Sequence, residues 1–89
     1  MNSQTLSKFW RLYYGLPRSI QKKADKAYQI WCENTGAPGL YFKRVGKTRL
    51  VYSVCIGDDY RALGLLYSDT VTWFWIGSHD EYLRLLKHI

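Results

Sequence analysis

The stretch from Tyr60 to Tyr82, YRALGLLYSDTVTWFWIGSHDEY, constrains this chain more than any other part. Two apolar runs of β character, Tyr60–Leu66 and Thr70–Ile76, flank the turn Tyr67-Ser68-Asp69. Side chains alternate between the faces of a strand, so Arg61, Leu63 and Leu65 share one face and Tyr60, Ala62, Gly64 and Leu66 the other. The same alternation sets Val71, Trp73 and Trp75 against Thr72, Phe74 and Ile76. Both faces of this second run are apolar, which predicts a central strand covered on both sides. Gly77-Ser78 ends it and delivers His79, Asp80 and Tyr82 to the sheet's edge.

Upstream the period is helical. Ser3 can cap a first helix in which Leu6, Phe9, Trp10 and Tyr13 form one apolar face, and Gly15 stops it. Leu16-Pro17 opens a second helix, where a proline near the first turn costs little. Ile20, Ala24, Ala27, Tyr28 and Trp31 make its inner stripe, Arg18, Lys22, Lys23 and Lys26 face solvent, and Asn34, Gly36, Pro38 and Gly39 end it. The spacing predicts helices over about residues 4–14 and 17–33, joined as an antiparallel hairpin. From Leu40 the period becomes two. Leu40–Arg44 and Leu50–Ile56 read as strands separated by the turn Gly46-Lys47-Thr48, and Gly57-Asp58-Asp59 turns the chain into the next run. His79 to Leu86 reads as a last short helix capped by Ser78. The expectation is an α+β domain, with the helical hairpin packed on an antiparallel meander of about four strands. Trp10, Tyr13, Tyr28, Trp31, Leu63 and Phe74 are expected in its core.

The chain has 89 residues, which suits a single domain over residues 1–89 with one core. Apolar residues make up 47% and aromatic residues 17%, enough burial to need no disulfide or metal staple. Cys32 and Cys55 read as separate buried thiols. No C-x-x-C or H-x-x-x-H spacing suggests a zinc site, and no cofactor is expected. No apolar run reaches the ~18 residues of a membrane span and no signal-peptide pattern is present, so a cytoplasmic protein without a membrane partner is expected. Thirteen Lys+Arg against seven Asp+Glu give a net charge of +6. That excess fits a polyanionic partner, or else a solvated basic surface.

Candidate chemistry gathers in the second half. Lys43, Arg44, Lys47, Arg49 and Arg61 lie in or beside the strands, where converging cations would hold a phosphate backbone. Arg61 sits within a strand, and a half-buried guanidinium needs an anion: a carboxylate of the protein or a phosphate of a ligand. An imidazole is the side chain best suited to acid–base work near neutrality, so His79 is a candidate for it, or else simply lies at the start of the last helix. Asp80 can orient its ring or favour the helix's first turn. Tyr82 can donate to a phosphate or stack on a base. His88, in the tail, receives no role.

The patterns F-W-x-L-Y-x-x-L-P, K-A-x-K-A-Y-x-x-W-x-E-N, Y-R-A-L-G and W-F-W-I-G-S-H-D-E-Y together resemble the RelE/ParE superfamily of type II toxins, nearest its RelE- and HigB-like branch. The likeness runs from about Leu6 to Leu86. It implies the toxin of a toxin–antitoxin system, an mRNA endonuclease acting on the translating ribosome without a metal and neutralised by a cognate antitoxin protein. Arg61 matches the family's strand arginine at the scissile phosphate, His79 a catalytic histidine of HigB-like members, and Tyr82 a C-terminal tyrosine used by some. Lys43, Arg44, Lys47 and Arg49 would bind RNA. Many members open with a β-strand, whereas Met1–Thr5 is short and polar, so the sheet is expected to lack that edge. ParE branches share the fold and poison gyrase without cutting RNA, and a member that only binds an antitoxin or nucleic acid is a third reading.

Overall fold

The computed structural model describes residues 1–89. In chain order its elements are β1 (Asn2–Thr5), α1 (Ser7–Tyr14), α2 (Arg18–Glu33), β2 (Lys43–Arg44), β3 (Val51–Ile56), β4 (Tyr60–Tyr67), β5 (Thr70–Ser78) and α3 (His79–Leu86). The strands form one sheet in the order β1-β5-β4-β3-β2. Strands β2 to β5 are the expected antiparallel meander. β5 lies inside the sheet, as its two apolar faces require.

The sheet has five strands and is mixed, not four and antiparallel: β1 pairs in parallel with β5, with Asn2 opposite Thr70 and Thr5 opposite Trp73. The residues of β1 are polar because this edge strand is held through its backbone and buries little. Gln4 adds a bond from Nε2 to Thr72 Oγ1 at 2.8 Å, and Ser3 Oγ bonds the Tyr28 hydroxyl at 2.6 Å instead of capping α1. α1 therefore begins later than expected, after an extended Leu6 that offers no side-chain cap.

Alternation fails once, inside β5. Leu63 pairs with Trp75 but Gly64 pairs with Trp73, so Phe74 is the extra residue of a β-bulge. A one-residue slip reverses the facing of everything beyond it. Trp73 consequently joins Tyr13, Ala24, Trp31, Val54, Ala62, Val71 and Ile76 under α1 and α2. Trp75 joins Val51, Leu63 and Tyr82 on the opposite side, under α3. Gly64 permits the bulge: a Cβ there would strike a Val71 methyl carbon and approach Trp73 Cε3 to 2.8 Å.

Each of the fully buried Trp31, Leu63, Ile76 and Val71 contributes about 1.5–3 kcal/mol relative to exposure. Three of the six expected core residues fit less simply or not at all. Tyr13, Trp31 and Leu63 are buried, Phe74 is half-buried at the bulge, and Trp10 and Tyr28 are 42% and 47% exposed. Trp10 keeps its ring against Phe9 and Tyr13 while its indole N–H donates to Thr5 Oγ1 at 2.8 Å near the surface. α1 makes its main backbone contacts with β5 and α2 with β3, so the two helices lie on the sheet more than on each other. Their bridge is the Tyr13 hydroxyl, which donates to Asp25 Oδ1 at 2.6 Å. That carboxylate, together with burial, pushes the Tyr13 phenol up to about 12.

The strand expected over Leu40–Arg44 shrinks to Lys43–Arg44 because Gly39 and Tyr41 take positive φ, 89° and 47°, which breaks extended backbone. Leu40 stays anchored, 4% exposed, its carbonyl accepting from Cys55 N at 2.8 Å. The thiols are not buried: Cys32 is exposed and Cys55 partly so. No helix is long and apolar enough to cross a membrane.

Candidate functional site

The face of the sheet opposite α1 and α2 is only partly covered, because α3 spans eight residues. Next to α3 an open groove of about 480 Å³ remains, lined by Lys43, Ser53, Cys55, Arg61, His79 and Tyr82 among others. Strand register explains the gathering. Lys43 on β2 lies opposite Ser53 on β3, and Cys55, two residues along and on the same face, lies opposite Arg61 on β4. Arg61 in turn pairs with Gly77, just before the residues that begin α3.

Arg61 has no carboxylate partner. Its Nη1 donates to three backbone carbonyls of the β3–β4 turn, Tyr60 at 2.7 Å, Asp58 at 3.1 Å and Gly57 at 3.3 Å. Of the two anions the sequence left open, the carboxylate of the protein is not the partner. The carbonyls fix one edge of the guanidinium, and the remaining N–H donors stay available to an anion in the groove.

His79 and Tyr82 are set by the first turn of α3. Ser78 caps that helix in a capping box: its Oγ accepts from Glu81 N at 3.2 Å while Glu81 Oε1 accepts from Ser78 N at 3.3 Å. The His79 N–H donates to Asp59 O at 2.7 Å, which ties the helix start to the turn that holds Arg61. The imidazole stands 5.8 Å from the Tyr82 ring, centroid to centroid, and no protein acceptor or donor engages its nitrogens. Asp80 is exposed and does not bond the imidazole; it lies in the first turn, where a carboxylate meets the positive end of the helix. Tyr82 is 6% exposed and its hydroxyl reaches Ser53 Oγ at 3.4 Å on the floor of the groove.

The other cations disperse. Arg44 is turned into the β2–β3 loop, with Nε donating to Gly46 O at 3.0 Å and Nη2 to Lys47 O at 3.4 Å. Lys47 is exposed on that loop, and Arg49 lines a separate hollow with Lys8, Phe74 and His88. Ser53, Cys55 and Tyr41 were not singled out by sequence, although alternation in β3 already places Ser53 and Cys55 on one face.

A sheet that brings an arginine, a histidine and a tyrosine together beside a C-terminal helix can be compared with known proteins. A family model for a ParE-like toxin domain matches residues 18–84. The chain belongs to the ParE-like toxin family. This places it in the RelE/ParE superfamily that the sequence resembled, and solved toxin structures share its fold. E. coli YafQ is 10% identical with a TM-score of 0.70, covering 91% of this chain and 96% of YafQ. The RelB–RelE antitoxin–toxin complex from Methanococcus jannaschii matches at 15% identity and a TM-score of 0.70, over 92% of this chain and 96% of the matched one. A YoeB/ParE toxin from Agrobacterium tumefaciens matches at 12% and 0.68, over 89% and 99%. No curated protein matches the chain at a significant level. Likeness at these identities speaks for the fold of this ParE-like toxin, and its chemistry rests on its own groove.

Proposed function

We propose that this toxin is an endoribonuclease that cleaves mRNA on the ribosome in the groove between β2 and α3. The observation that carries this reading is Arg61, held by turn carbonyls with no carboxylate against it, in one groove with His79, Tyr82 and Lys43. Such a groove suits a substrate that brings its own nucleophile. His79 takes the proton of an RNA 2′-hydroxyl, and that oxygen attacks the adjacent phosphorus. The bond from phosphorus to the 5′ oxygen breaks, that oxygen takes a proton from water, and the products are a 2′,3′-cyclic phosphate and a 5′-hydroxyl. Arg61, with Lys43, stabilises the extra charge on the phosphorane, and the Tyr82 hydroxyl, at the floor of the groove, donates to the same oxygens, while its buried ring leaves no face for a base to stack on. Arg44, Lys47 and Arg49 lie outside this groove and would meet RNA farther along the strand, as phosphate contacts that position it. The basic surface also suits neutralisation by an acidic segment of a cognate antitoxin, and the M. jannaschii neighbour is an antitoxin–toxin complex.

A second reading, inhibition of gyrase without catalysis, is favoured by the ParE-like family match. Expression of wild type and His79→Ala separates the two when growth, RNA integrity and plasmid supercoiling are followed together. The nuclease reading expects fragmented mRNA at unchanged supercoiling, with cleavage reduced roughly 10²–10⁴-fold in His79→Ala. Growth arrest with intact RNA and altered supercoiling would overturn it.

A further inference from the structure

We infer that Tyr41 is a base-stacking residue, whose ring holds a nucleobase of single-stranded RNA beside the groove that carries Arg61 and His79. The inference rests on the ribonuclease reading and adds to it a subsite outside the reacting atoms.

Exposure alone does not distinguish Tyr41. It is 67% exposed, but Tyr14 and Tyr67 are more so, at 71% and 82%. Its backbone does distinguish it. Tyr41 has φ 47°, the left-handed region, which a bulky side chain enters against a steric cost. Only Ser68 among the other non-glycine residues does so, in the tight β4–β5 turn. Strain of this kind persists where surrounding structure enforces it and collects at ligand clamps.

The ring is also unused within the protein. The adjacent Phe42 packs inward, against Trp31 at 5.7 Å and Tyr52 at 4.9 Å between centroids. Tyr41 turns the other way, with no ring partner and no hydrogen bond from its hydroxyl. Burying Phe42 between those rings while Leu40 anchors to Cys55 forces the residue between them outward.

Position supplies the ligand. Tyr41 and Gly39 line the catalytic groove and also a second hollow of about 300 Å³ formed by the loop from Thr35 to Phe42. The two hollows therefore meet at the Tyr41 ring. The N–H groups of Gly39 and Tyr41 donate to no acceptor of the protein, so hydrogen-bond donors stand at that wall. Lys43 lies two residues on, facing the groove. A phosphate held by Arg61 and Lys43 leaves the neighbouring base within the reach of Tyr41, with backbone donors beside it. Stacking of this kind requires an unpaired base, which selects single strands.

The test measures binding of a fluorescent single-stranded 2′-O-methyl RNA, which lacks the nucleophile, to wild type, Tyr41→Ala, Tyr41→Phe and Tyr41→Gly. Melting temperatures are measured on the same preparations, and cleavage of unmodified mRNA is followed on translating ribosomes. Loss of one stacked base should weaken binding roughly 5- to 150-fold in Tyr41→Ala and Tyr41→Gly, while Tyr41→Phe should stay within about twofold of wild type. Tyr41→Gly should melt at or above the wild-type temperature, since glycine relieves the positive φ. Unchanged affinity in Tyr41→Ala overturns the inference, and so does a loss of binding in Tyr41→Gly that only follows a loss of stability. Wild type that binds through Tyr41 yet cuts nothing would leave the stacking site standing and overturn the nuclease reading. Wild type that cuts RNA with Tyr41→Ala unchanged in affinity and cleavage pattern would do the reverse. Wild type that neither binds nor cuts overturns both.

Discussion

Replacing Arg61 by alanine should nearly abolish activity while leaving the fold in place. In the folded protein Nη1 serves the carbonyls of Gly57, Asp58 and Tyr60. Gly57 and Asp58 are exposed, so their carbonyls turn to water when the side chain is removed. The loss of stability should therefore be that of ordinary net hydrogen bonds, about 1 kcal/mol, or roughly 4–8 °C in melting temperature for a domain of this size. Against a typical margin of about 5–15 kcal/mol the variant stays folded. The effect on cleavage is larger, because the guanidinium meets charge that exists only in the transition state. Removing one preorganised donor of this type costs about 10²–10³ in rate. Arg61→Lys should recover part of it, since a point charge replaces a planar fork. Initial rates of cleavage of a defined mRNA on translating ribosomes, with circular dichroism on the same protein preparations, make the comparison, and Lys87→Ala and His88→Ala serve as variants expected to be silent. A folded Arg61→Ala, His79→Ala double variant that cuts at the wild-type rate would refute the reasoning and move the target to a protein such as gyrase.

Gly64→Ala should lower the denaturant midpoint by the equivalent of about 1–3 kcal/mol or more, because the new methyl meets Val71 and Trp73 at the bulge and both are buried. Ser78→Ala should cost about 1 kcal/mol in chemical denaturation by removing the cap of α3, and Ser78→Asp should restore most of it. Between pH 10 and 12 the wild type should lose stability faster than Tyr13→Phe. The folded state holds the phenol neutral up to about 12 against 10.0 in the unfolded chain, so this contribution is intact below pH 10 and gone above about 12. Equal slopes for the two proteins, in urea titrations at pH 9 and 11, would show that the bond to Asp25 contributes nothing.

What could be read from sequence was what periodicity governs. Alternation in β4 placed Arg61, Leu63 and Leu65 on one face, and they line the α3 side together. The spacing Ser78-His79-x-x-Tyr82 likewise gave the cap and two of the groove's aromatic groups. The same rule misplaced Trp75 relative to Trp73, since a bulge is a local event fixed by Gly64 and the partner strand, which no count along β5 reveals. β1 was missed because its apolar content is nil and its bonds are backbone bonds to a strand some 68 residues away in the chain. Arg44 and Arg49 were grouped with Lys43 by nearness in sequence. The Gly46 loop between them, whose N–H bonds Val51 O at 3.1 Å, turns them to different places.

β1 has a consequence for how the molecule behaves in company. The strand it borders, TVTWFWIGS, is long, rich in β-branched and aromatic residues, and uncharged. An unpaired edge of that composition is a template on which other chains assemble. Asn2–Thr5 occupies it at the end nearest the β4–β5 turn with four polar residues, and then presents to solvent an edge too short and hydrophilic to invite another strand. Trimming or displacing these residues would remove little buried apolar surface, so the domain should still fold. It should then self-associate through Thr70–Trp73. On this view the first strand serves colloidal solubility more than thermodynamic stability.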